Sequence, residues 1–192
     1  MKAKMADSQT WKVTLNGLTD IMFDRYAGDN KTQLPPEKKM YLDGKTIVLP
    51  CRNILSFLSA ENTESAPKRF FDPRKYKTVA RAFRSFTSVS PFLIPFTGNG
   101  KPIEFNGFGN EADEGEVYVA KSVARLKEAA NPKERPVLKT PWQLSFEVHL
   151  IKNGEVGADT LRDMFDRGGM AIGLGTYRGV YGKFAVAGWE LV

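Results

Sequence analysis

Apolar and polar positions alternate cleanly in two parts of the chain. Trp11, Val13 and Leu15 alternate with Lys12 and Thr14, which predicts a half-buried strand ended by Asn16-Gly17. Trp142, Leu144, Phe146, Val148 and Leu150 alternate without a fault up to Asn153-Gly154 and predict the clearest strand of all. Between them the period becomes helical. A short strand over 46–49 leads into Pro50, which suits the first turn of a helix because its missing donor costs nothing there. Ile54, Leu55, Phe57 and Leu58 give that helix its apolar face, and it ends near Asn62. Asp72-Pro73 pairs an N-cap acceptor with a proline at the first helical position. Tyr76, Val79, Ala80, Phe83 and Phe86 then recur at helical spacing until Pro91. Residues 90–96 read as a buried strand. Asp159 is placed to cap a short helix with Leu161, Met164 and Phe165 inward, running into Gly168-Gly169, and 184–191 form the last strand.

Two stretches stay irregular. Residues 16–45 are rich in turns, and 97–136 hold Gly98, Gly100, Gly107, Gly109, an acidic cluster, a ribbon at 117–126 and then Asn131-Pro132. The second stretch reads as an insertion projecting from the domain. The long elements therefore run strand, helix, strand, strand, helix, strand. That order predicts an α+β chain of ferredoxin-like (RRM-like) βαββαβ type, a four-stranded antiparallel sheet with helices on one face. The expectation is one domain over 1–192 with an insertion at about 97–136.

Composition narrows the class. With 42% hydrophobic and 26% charged residues, the chain is neither a disordered tail nor a fibrous protein. Cys51 stands alone, so no internal disulfide forms. The polar opening MKAKMADSQT has no apolar signal-like core, and no run approaches the roughly 18 apolar residues of a membrane span. A soluble, cytoplasmic protein without a membrane partner is expected.

Net charge is +6, and it is sorted into patches. Lys68, Arg69, Arg74, Lys75, Lys77, Arg81 and Arg84 face a single acid, Asp72, in one short segment. Arg74, Lys77, Arg81 and Arg84 recur at steps of three and four, away from the apolar stripe of their helix. Residues 110–116 hold four acids and no base, a solvated loop or a surface that meets the basic stripe of a neighbouring copy.

Between the second predicted helix and the last strand lies Gly173-Leu174-Gly175-Thr176-Tyr177-Arg178-Gly179-Val180-Tyr181-Gly182-Lys183-Phe184. Glycines uncover backbone amides that a phosphate can approach. Arg178 and Lys183 add charge, while Tyr177 and Tyr181 offer faces for base stacking. The other reading is a cramped turn that needs positive φ. The loop follows a helix and precedes a strand, the reverse of a dinucleotide fingerprint, and P-loop spacing is absent.

In this place, a loop of the form G-x-G-x-x-R-x-x-x-G-x-F, matched by Gly173, Gly175, Arg178, Gly182 and Phe184, resembles the signature of the RAMP superfamily. That superfamily supplies backbone and processing subunits of CRISPR effector complexes. The strand and loop Val13-Thr14-Leu15-Asn16-Gly17-Leu18-Thr19 is similar to the start of such domains, and the compact length to short phage- or mobile-element-borne relatives. The resemblance implies binding of single-stranded RNA, or DNA in its place, along a basic face, with copies stacked head to tail as a filament.

Catalytic chemistry finds little support. His149, the one histidine, falls on the outward face of its strand, and the first helical region, where RAMP processing nucleases often carry a histidine, has none. Cys51, beside Arg52 near a helix start, reads as a small buried residue. Asp20 and Asp24, after the first strand, are the candidates for a metal. No His/Cys cluster has structural-zinc spacing. The leading expectation is a non-catalytic RNA-binding subunit without cofactor or metal. Arg52, Lys68, Arg69, Arg74, Lys77, Arg81 and Arg84 would meet phosphates, and Gly173, Gly175, Tyr177, Arg178 and Lys183 would clamp the strand. A phage or mobile-element protein binding an acidic partner, and a metal-dependent ribonuclease using Asp20 or Asp24, are the alternatives.

Overall fold

A computed structural model describes residues 7–29, 31–111, 116–126 and 129–192. In chain order the elements are β1 (Ser8–Gly17), β2 (Ile21–Met22), α1 (Pro36–Lys39), β3 (Leu42–Asp43), β4 (Thr46–Pro50), α2 (Cys51–Ser59), α3 (Ala66–Phe70) and α4 (Tyr76–Phe86). Then follow β5 (Thr87–Ser90), β6 (Leu93–Gly98), β7 (Lys101–Pro102), β8 (Val117–Leu126), β9 (Ala129–Leu138), β10 (Gln143–Ile151), α5 (Ala158–Ala171) and β11 (Phe184–Leu191). The fold is a mixed α+β arrangement with antiparallel sheets.

The main sheet runs β11-β1-β10-β6-β4-β3, and β5 pairs with β10 beyond the reach of β6. β1 lies between the edge strand β11 and β10, antiparallel to β10 from Ser8↔Ile151 to Asn16↔Gln143 and antiparallel to β11 from Trp11↔Leu191 to Gly17↔Phe184. The alternation in β1 and β10 sends Trp11, Val13, Leu15, Leu144, Phe146, Val148 and Leu150 into one core, where Ile54, Phe57, Phe83, Met164 and Phe165 cover them. Their other face carries Lys12, Ser145 and Glu147, all exposed, and half-buried His149.

Several elements depart from the sequence reading for physical reasons. The strand expected at 90–96 is two strands, because the chain turns at Pro91-Phe92 and changes its place along β10. The Asp72 side chain accepts the Arg74 amide at 2.7 Å, capping a preceding turn, so α4 proper starts only at Tyr76. Gly157, not Asp159, is the N-cap of α5, and Asp159 sits in the first turn. That helix also runs through Gly168-Gly169 instead of stopping there. A Cβ on Gly168 would come within 2.5 Å of the Phe57 ring, and one on Gly169 equally close to the Phe184 ring. Both glycines serve packing of aromatic rings onto bare helix backbone.

β8 and β9 form a two-stranded ribbon, in continuous register from Val117↔Leu138 to Leu126↔Ala129. β2 pairs with β9 at its root, where Met22, Tyr118 and Val137 form a second small core. Among the described residues no helix is long and apolar enough to cross a membrane.

Candidate nucleic-acid interface

The basic segment spans α3 and α4. Arg69, Arg74, Lys75 and Lys77 are exposed and Lys68 is half-buried. Val79, Ala80, Ala82 and Phe83 fill the opposite side of α4, so the charge rides on a face fixed by the core. The far end of the stripe is already engaged. Arg81 Nε and Arg84 Nη2 lie 3.6 and 3.7 Å from the Glu61 carboxylate, and Arg84 Nη2 donates to the Ser59 carbonyl at 2.8 Å. Arg81 and Arg84 stay exposed all the same, as do Arg69, Arg74, Lys75 and Lys77.

Arg52 lies at the other end of α2 from the Arg84 contact. It stands in the first turn of α2, whereas Ser59 ends that helix, roughly 10 Å away along the axis. Its guanidinium carbon lies 5.8 Å from the ring centroid of Tyr41, and that of Arg25 lies at the same distance. Nothing local in the sequence marks this pairing, because the three residues belong to different elements.

The glycine-rich loop is zipped onto the segment after β1. The amides of Thr176 and Gly182 donate to the carbonyls of Met22 (2.9 Å) and Asp20 (2.7 Å), and the amide of Leu18 donates to Lys183 (2.8 Å). The Lys183 amide donates to Thr19 Oγ1 at 3.0 Å. Gly173, Leu174, Gly179 and Tyr181 also spend their amides inside the chain. Gly173 and Gly182 hold φ of 84° and 74°, and a Cβ on either would strike a carbonyl oxygen of the loop itself. What faces outward is the tip, with Tyr177, Gly179 and Val180 exposed and the Tyr177 ring 6.0 Å from that of Tyr181.

Arg178 turns inward. Nη1 donates to the Glu64 carbonyl at 2.6 Å, Nη2 reaches Ser56 Oγ at 3.4 Å and Nε reaches the Gly175 carbonyl at 3.3 Å. Burial lowers its pKa below the ordinary guanidinium value, and Glu64 partly offsets that. The side chain braces the loop against the α2–α3 connection.

The acidic candidates are committed to structure. Asp20 Oδ1 accepts from the Thr140 amide (2.9 Å) and hydroxyl (3.1 Å), and Oδ2 accepts from Tyr118 at 3.3 Å. Asp24 Oδ2 accepts from Arg135 Nε at 2.7 Å, and Lys39 Nζ lies 3.8 Å from Oδ1 while donating to the Glu134 carbonyl. Asp24 thus fastens the ribbon root to α1. His149 is held on the polar sheet face by Thr10 (2.7 Å) and Ser90 (3.3 Å), and Cys51 is buried. Among the described residues no group of three or more His, Cys, Asp or Glu could hold a metal ion. The acidic cluster at 110–116 lies largely outside the described residues.

No family model and no curated protein matches the chain. Among solved structures it is similar to a chain in the cryo-EM structure of the Type III-B Cmr-beta bound to cognate target RNA, with a TM-score of 0.51 at 10% identity over 96% of its length. It covers 61% of that chain. At this identity the likeness is one of fold.

Proposed function

We propose that this chain is a non-catalytic RNA-binding subunit of a ribonucleoprotein assembly, built as one ferredoxin-like RAMP domain with an insertion at about 97–136. The observation that carries the reading is the fold likeness to a chain of an RNA-bound Cmr structure. The central order β11-β1-β10-β6 supports it, being the order in which a βαββαβ chain arranges its strands. Exposed Arg69, Arg74, Lys75 and Lys77 supply sequence-independent phosphate contacts, and the loop tip at Tyr177 supplies a stacking face. The hydrogen bonds and ion pairs of Asp20 and Asp24 favour a structural role for both over cleavage.

Filter binding of labelled single strands at graded salt tests the reading. Four phosphate contacts predict a log–log salt slope of about −3. The strand should remain full-length in magnesium or manganese. No retention at low salt overturns RNA binding, and shortening that disappears in Asp24→Ala overturns the non-catalytic role.

A further inference from the structure

Away from α4, two guanidinium groups, of Arg52 and Arg25, flank the ring of Tyr41, and two exposed aromatic residues, Phe92 and Tyr26, belong to the adjoining backbone. The Arg52 and Arg25 guanidinium carbons each lie 5.8 Å from the Tyr41 centroid. Tyr26 follows Arg25 directly, and the carbonyl of Phe92 accepts the amide of Cys51 at 2.8 Å, one residue before Arg52. Phe92 and Tyr26 are 67% and 64% exposed, more than any other aromatic side chain among the described residues. Two clefts of about 370 and 590 Å³ adjoin at Arg25, Tyr26, Ala27 and Leu34, room enough for a nucleobase beside the Tyr26 ring.

The backbone under this strip is pinned. The Arg25 amide donates to the Lys39 carbonyl at 3.1 Å and the Val48 amide to the Tyr41 carbonyl at 3.0 Å. Groups held in place before a ligand arrives lose little freedom on binding. Rings that stack any base, interleaved with cations that meet the backbone between bases, are what a sequence-tolerant single-strand surface requires. A lone exposed phenylalanine needs no explanation, but one that adjoins a pinned cation–aromatic group does.

We propose that this strip is a second single-strand track, distinct from the basic face of α4. One base stacks on Phe92 and another, further along the strand, on Tyr26, and phosphates between them meet Arg52 and Arg25. The proposal rests on the RNA-binding reading above and adds to it a surface where stacking, rather than charge alone, holds the strand.

Fluorescence anisotropy with a labelled oligouridylate of roughly 20 nucleotides, longer than a typical single-domain site, tests it on the full chain. The set is wild type, Phe92→Ala, Phe92→Trp, Arg52→Ala and the helix variant Arg74→Glu with Lys77→Glu, each checked for an unchanged melting transition. Phe92→Ala should weaken binding about tenfold and leave the salt slope unchanged, because a ring and not a phosphate contact is lost. Phe92→Trp should bind at least as well as wild type, and Arg52→Ala should reduce the slope by about one. Ultraviolet cross-linking of a 5-iodouridine strand should join it to the peptide carrying Phe92. Wild-type affinity in both Phe92→Ala and Arg52→Ala, with binding lost in the helix variant, overturns the track and leaves the RNA-binding reading standing. No binding by wild type overturns both. Polyglutamate displacing the strand from wild type as effectively as unlabelled RNA overturns the nucleic-acid assignment.

Discussion

The guanidinium of Arg178 donates to the backbone carbonyl of Glu64 at 2.6 Å, joining two segments 114 residues apart. An arginine in a glycine-rich loop suggests a phosphate ligand, yet this one ties the loop to the connection between α2 and α3. Arg178→Ala leaves that carbonyl and the loop without their brace. We expect a loss of about 2–3 kcal/mol in urea unfolding, less for Arg178→Lys, and an unchanged salt slope of RNA binding in the fraction that stays folded.

Gly182 tolerates no side chain. Its φ is 74° and a Cβ would lie 2.0 Å from the Leu174 carbonyl oxygen. Gly182→Ala combines backbone strain with a clash against main chain, for an expected cost of about 3–4 kcal/mol. Gly179→Ala, at φ 89° with nothing near its Cβ, should cost only about 1 kcal/mol. Thermal unfolding of the pair separates packing from conformational strain.

Charge reversal should act differently along the basic helix. Arg74→Glu with Lys77→Glu touches exposed residues and should leave the melting temperature within a few degrees while reducing the salt slope by about 1.5. Arg84→Glu also removes the donor to the Ser59 carbonyl and faces Glu61, so it should lower stability by about 1–2 kcal/mol as well. Circular dichroism melts beside filter binding distinguish the two variants.

Tyr118 gives the fold an alkaline limit. Burial raises its pKa above the ordinary 10.0, helped by Tyr181, Asp20 and Glu111. The folded state therefore keeps the proton where the unfolded chain releases it, and stability falls as pH rises above about 10. Tyr118→Phe should flatten that decline in urea midpoints measured between about pH 9 and pH 11. At neutral pH the variant should stay within about 2 kcal/mol of wild type, since the hydroxyl's contacts with Asp20 (3.3 Å) and Tyr181 are lost.

Assembly along a strand is the last expectation. If copies stack head to tail, the contact is heterologous and does not close. Light scattering should then show mass growing by one subunit per several added nucleotides. Deleting the ribbon should end that growth but keep one copy on a short strand. A single fixed mass at every strand length would exclude a filament.

Much of the frame was legible because burial on one face imposes a period. β1 and β10 each bury every second residue, and their alternation shows it. β9 was half hidden, since Pro132 and Pro136 are poor strand residues and the strand owes its place to pairing with β8. α3 has five residues, too few for a helical period to appear. The glycine-rich loop could be located, but its inward hydrogen bonds could not be foreseen. They go to carbonyls of Asp20 and Met22, far away in sequence, so the loop looked more open than it is. Glu61 lies outside the helix of Arg81 and Arg84, so helical spacing shows nothing of its hold on them.

β1 has both its partners late in the chain. Asn16 and Gln143, at one end of its pairing with β10, are 127 residues apart, and β11 is made later still. At about 5–20 residues per second, a ribosome needs roughly 6–25 s to bring the second strand out after the first. Through that interval the Trp11, Val13 and Leu15 side chains and both edges of their strand have no native sheet to enter. The β11-β1-β10 part of the sheet therefore waits on strands made long after β1, and yield in a cell depends on how well this short apolar stretch is shielded in that time.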